Sequence, residues 1–141
     1  KLGLFGEDKN DKKLINDLFD WMKKNKADYT NTFCHLMDIN FDKVYKNNDF
    51  INWKDEWKKR SKLNNSTKEK QIKIMRQNNP IVIPRNHKVE EALAEADKGN
   101  LNYIKKLLSI LKNPYETQDK IYEYQRPATI SNKKYQTFCG T

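Results

Sequence analysis

The stretch NNPIVIPRNHKV, residues 78–89, decides how the chain is read. Pro80 and Pro84 have no backbone donor, and each pushes the residue before it toward extended geometry. A helix arriving from the N-terminal side must therefore stop near Gln77. Between the prolines stand Ile81, Val82 and Ile83, too apolar for an exposed loop. The reading is a buried, extended crossover packed between helices, with Asn86 capping the helix that follows.

Helical spacing runs on both sides of this crossover. Ile15, Leu18, Phe19 and Met22 fall at i, i+3, i+4 and i+7, one stripe of a first helix that Asp8 or Asp11 can cap. Tyr29, Phe33 and Leu36 mark a shorter second helix. Phe50, Trp53 and Trp57 mark a third, over about residues 49–62. STKE, residues 66–69, reads as a capping box that opens a fourth helix through about Arg76. Val89, Ala92, Leu93 and Ala96 line a fifth, with Gly99 at its C-terminal cap. Ile104, Leu107, Leu108 and Leu111 line a sixth, which Asn113-Pro114 ends. The last two form a helical hairpin. Its spacing is ankyrin-like, but the motif occurs once and no repeat period exists. The expected fold is all-α: an irregular helical domain of about six helices over residues 1–113, with the proline-bracketed crossover inside it. Residues 114–141 have no period and are expected to form an irregular C-terminal tail.

Composition narrows the function. The chain has 141 residues, 33% charged and 36% hydrophobic, with 16 aromatics. Aromatics bury much area per residue, so a folded domain with a wet surface is expected. The net charge of +9 comes from 24 Lys and four Arg, spread along the chain, beside 17 Asn. Such a Lys/Asn bias follows from AT-rich coding, and Arg, the usual base-reading residue, is scarce. A solvated basic surface is expected, not a nucleic-acid site. No run approaches the roughly 18 apolar residues of a membrane span. With no signal peptide visible, the expected setting is cytoplasmic, without a membrane partner. The chain opens on Lys1, not Met, which suggests a piece of something longer.

Chemistry is sparse. The four glycines, Gly3, Gly6, Gly99 and Gly140, build no phosphate loop. Cys34 and His35 are adjacent and so point to different helix faces, and no second pair completes a zinc site. Cys34 reads as a small buried residue. The 19 carboxylates are mostly interleaved with lysines, as on solvated helix faces. No catalytic, cofactor-binding or metal-ligating residue is assigned.

Several segments together carry a resemblance. KLGL at residues 1–4, DYTNTF at 28–33, NPIVIPRN at 79–86, EALAEADKGN at 91–100, and LLSILKNPY ending at Tyr115 stand in one order, with Cys139 third from the C-terminus. The chain resembles the C-terminal region of the selenoprotein O (SelO/YdiU) protein adenylyltransferases. The resemblance implies an enzyme with a protein-kinase-like part that binds ATP and Mg²⁺ and moves AMP to protein hydroxyls. It also implies that the kinase-like part lies N-terminal to these residues. This region alone would then hold no cofactor and would support or regulate that part, its partner, alongside the protein substrates. For Cys139 it implies redox control. Gln136 stands where eukaryotic relatives carry a cysteine, so local thiol exchange has no second thiol. From residues alone, Cys139 reads as an inert terminal cysteine. Arg85 and Asn86 are expected to cap or pair with neighbouring helices, or to contact the kinase-like part.

The alternative is a free-standing helical interaction module. An apolar helix face left exposed in this chain would favour a missing neighbour.

Overall fold

The computed structural model describes residues 1–39, 42–118 and 121–128. Among these the fold is all-α, as the periodicity requires. The helices are α1 (Asp11–Asn25), α2 (Tyr29–Leu36), α3 (Asn48–Lys62), α4 (Lys68–Asn78), α5 (Asn86–Asp97), α6 (Asn102–Leu111) and a short α7 (Tyr122–Gln125). A 3-10 turn, Lys43–Lys46, leads into α3. α1 packs along α3, the 3-10 turn closes on α3, and α5 and α6 pair as a hairpin. α7 lies in the stretch expected to be irregular, where Ile121 and Tyr124 join the core.

An aromatic ladder fills the first half. Trp21 meets Phe50 at 4.5 Å between ring centroids, Phe50 meets Trp53 at 5.7 Å, and Trp53 stacks on Trp57 at 6.3 Å. A buried indole needs an acceptor. Trp21 Nε1 donates to Asn47 Oδ1, Trp53 Nε1 to the Leu14 carbonyl, and Trp57 Nε1 to the Leu2 carbonyl.

The last of these bonds ties down the N-terminal segment, residues 1–8, which has no regular secondary structure. Side chains take over its backbone groups. Asn79 Nδ2 donates to the Lys1 carbonyl, Asn64 Nδ2 to the Gly3 carbonyl, and Arg60 Nη2 to the Phe5 carbonyl. The Phe5 amide donates to Asn64 Oδ1. Polar backbone entering a core must be satisfied in this way.

The crossover is buried as expected: Ile81 and Val82 are each 1% exposed. Their amides both donate to the Pro114 carbonyl, at 2.7 and 3.3 Å. The residue before the crossover, Asn79, spans two elements by donating to the Met75 and Lys1 carbonyls.

Four local expectations differ from the structure. On α1 the core face is Leu14, Leu18, Trp21 and Met22, while Ile15 and Phe19 are exposed. Two stripes overlap on this helix, and the one holding the large Trp21 ring turns inward. The start of α4 is capped by Thr67, whose side chain accepts from the Lys70 amide, so Ser66 and Glu69 do not form the expected box. Asn86 is the first helical residue of α5 and not its cap. Arg85, still extended after Pro84, holds the cap position and makes no side-chain cap bond. On the hairpin, Leu107 and Ile110 face the core, whereas Leu93 and Leu108 are exposed. Gly99, with φ +85°, closes α5 as expected: its amide donates to the Ala96 carbonyl and that of Asn100 to the Glu95 carbonyl.

Candidate functional site at the Asp28–Arg85 junction

Two of the motifs quoted above meet in space. Asp28 caps α2, its carboxylate accepting from the Asn31 amide at 2.8 Å. Arg85 leaves the crossover and grips the same carboxylate with both ends of its guanidinium. Nη1 donates to Asp28 Oδ2 at 2.6 Å and Nη2 to Oδ1 at 2.9 Å. This two-pronged geometry is one a lysine cannot reproduce. Nη2 also donates to the Gln125 carbonyl at 3.0 Å, which Asn31 Nδ2 reaches as well. Gln125 Nε2 in turn donates to the Ile81 carbonyl. One ion pair thus fastens α2, the crossover and α7.

The pair is largely shielded, with side-chain exposures of 11% for Arg85 and 20% for Asp28. Burial pulls the Asp28 pKa upward. The Arg85 hydrogen bonds, the Asn31 amide and the Arg85 charge together outweigh it, so the carboxyl is held below its ordinary value. Arg85 Nε is buried without a hydrogen-bond partner.

A pH prediction follows from that sign. A carboxyl whose pKa is lower folded than unfolded adds stability above the unfolded value of about 3.9 and loses it as pH falls through the folded value. The stability gap between the native chain and Asp28→Asn is expected to hold from about pH 7 to 5 and to close below about pH 4. Urea midpoints taken across that range check it. A gap that stays constant to pH 3 would contradict it.

Cys34 lies close to this junction, with Sγ 4.0 Å from the Pro80 carbonyl. It is fully buried, and burial foremost, with the Asp28 charge, pushes its thiol up to about 11. It is a packed side chain of the core, and burial disfavours its thiolate form. Asn86 is exposed and makes no contact with the junction's hydrogen-bond network. Cys139 lies outside the described residues.

The Mg²⁺ that the resemblance implies finds no ligand cluster among the described residues. No group of three His, Cys, Asp or Glu side chains there is placed to hold a metal ion. Among the described residues, no helix is long and apolar enough to cross a membrane. The sequence pattern missed the partnership itself. The sequence reading places Asp28 only within the DYTNTF motif, and its link to Arg85 spans 57 positions and leaves no local signal.

The comparisons with known proteins place these features in a family. The family described as "Protein adenylyltransferase SelO" matches residues 1–112. The chain is 53% identical to "Protein nucleotidyltransferase YdiU" of Pelagibacter ubique (strain HTCC1062), over all of this chain and 30% of that relative. It is 44% identical to the protein of the same name from Bacillus mycoides (strain KBAB4), again over all of this chain and 30% of the relative. The same figure holds for that of Clostridium perfringens (strain SM101 / Type A), over 29% of it. The chain therefore spans less than a third of the length of the curated relatives it matches, consistent with the C-terminal region that the motifs resemble. It belongs to the SelO family of nucleotidyltransferases.

Proposed function

We propose that this chain is the helical C-terminal region of a family-length protein adenylyltransferase and works by docking on the rest of that protein. In this reading the rest holds ATP and Mg²⁺ and transfers AMP to hydroxyls of protein substrates, in a cytoplasmic setting. The described region supplies structural support, and Cys139 supplies redox control.

One observation carries the docking part. Leu101, Ile104, Leu108 and Leu111 fall at i, i+3, i+7 and i+10, a single stripe along α6. Leu107 and Ile110 are buried in the core, and Ile104 and Leu111 of the stripe are partly buried against it. Leu101 and Leu108 are left 51% and 55% exposed, and Leu93 on α5 is 53% exposed. Scattered exposed leucines need no explanation, but several on one hairpin favour a covering neighbour. Relatives more than three times as long have further chain from which such a neighbour can come, which supports the reading.

Labelled ATP, Mg²⁺ and a protein mixture test the reading. A family-length protein containing this chain is expected to transfer AMP, and this chain alone is expected to transfer none. Transfer by the chain alone, or by neither protein, would overturn it. In the second case a free-standing interaction module becomes the better account.

A further inference from the structure

A pocket of about 430 Å³ opens between α3, α4 and the end of α2. Four lysines line it. Lys54, Lys58 and Lys62 stand at i, i+4 and i+8 on α3, and Lys68 opens α4. Like charges at this helical spacing repel. The one carboxylate among the lining residues, Asp38, lies 3.8 Å from Lys68 Nζ, and Lys58 also reaches Asp55 at 3.0 Å. The pocket itself therefore keeps an excess of positive charge.

Two features separate it from an ordinary lysine-covered surface. Ser66 lines the pocket, and its hydroxyl oxygen is buried with no hydrogen-bond partner. A buried hydroxyl left unpaired is costly, and native folds rarely leave one so. Lys54 is not a free surface side chain either. Its ammonium lies 3.4 Å from His35 Nε2. Its pKa is lowered, first by burial, with Lys58 and Lys68 adding to the effect and Asp38 and Asp55 opposing it. Trp57 and Ile72 give the same pocket an apolar wall.

We propose that this pocket binds a small anion carrying a phosphoryl group. The Lys54, Lys58 and Lys68 ammonium groups and the Ser66 hydroxyl take its oxygens, and Trp57 and Ile72 take its apolar part. A phosphoryl group offers several acceptor oxygens to several donors at once, and charge-assisted bonds to it are the strong kind. The site is concave, which suits one phosphoryl group and not a tracked polymer backbone.

The test titrates the full chain with inorganic phosphate and with phenyl phosphate at constant ionic strength, chloride serving as the balancing ion. Trp fluorescence and the amide shifts of residues 54 and 66 report binding. Saturable binding is expected, tighter for phenyl phosphate. Lys54→Met is expected to weaken it roughly tenfold and Ser66→Ala several-fold, with thermal melts establishing that both variants fold. Should either fail to fold, Lys58→Met, at an exposed position, carries the same expectation. A non-saturating response would overturn the proposal, as would unchanged affinity in the folded variants. So would tighter, steeply salt-dependent binding of a duplex oligonucleotide that Lys54→Met leaves untouched, since that describes a general basic surface.

Discussion

Replacing Arg85 by alanine is expected to destabilise the chain by about 3 to 5 kcal/mol, the range for removing one partner of a buried ion pair. The size comes from what is left behind. Asp28 would keep its charge in a mostly buried place with only backbone donors to hold it. The Gln125 carbonyl would lose the Arg85 donor, and the crossover would lose its bond to the start of α2. Arg85→Lys is expected to recover only a small part, because one ammonium cannot span both carboxylate oxygens. Urea unfolding of the two variants checks this. A loss below about 1 kcal/mol would mean the pair behaves as a surface salt bridge. It would also move Arg85 toward the domain-contact role, in which the chain alone loses nothing and the longer protein does.

The second large effect is expected at Gly3. Its φ of +66° is a conformation that side chains disfavour, and a Cβ there would lie 2.6 Å from Gln71 Cγ and 2.8 Å from Met75 Cγ. Met75 is completely buried and Gln71 nearly so, so neither yields easily. The left-handed backbone costs about 1 to 2 kcal/mol for an L-residue, and overpacking adds about 1 to 3. Gly3→Ala is therefore expected to cost about 2 to 5 kcal/mol by chemical denaturation. Gly6, with a similar φ but open space around it, gives the control. Its alanine variant is expected to pay only the backbone part. Equal losses at the two positions would contradict the packing argument.

These two sites divide what the sequence makes legible from what it hides. The crossover could be read directly, because two prolines and three β-branched residues leave few conformations and one sensible environment. Helix positions were legible for the same reason: apolar spacing repeats with the helix period. Which stripe faces inward was less so. On α1 and α6 apolar residues cover more than one face, and the choice depends on neighbours that are distant in sequence. Trp21 wins on α1, and Ile110 replaces Leu108 on α6. Caps slipped by one residue where two capping-competent side chains stand together, as at Ser66 and Thr67. The bonds that hold the N-terminal segment, and the Asp28–Arg85 pair, join residues tens of positions apart. No periodicity encodes them, so only the fold reveals them.

The central claim is that Leu101 and Leu108, the exposed leucines of this stripe, are covered in the longer protein. A double variant, Leu101→Gln with Leu108→Gln, measures it when made both in this chain and in a family-length protein containing it. In the chain alone both side chains are half in water, so the change is expected to stay within about 0.5 kcal/mol. In the longer protein it is expected to cost about 2 to 3 kcal/mol, from burying the remaining apolar area of two leucines, and to lower AMP transfer. Equal, small effects in both settings would mean that the stripe faces water in each, and the docking account would fail.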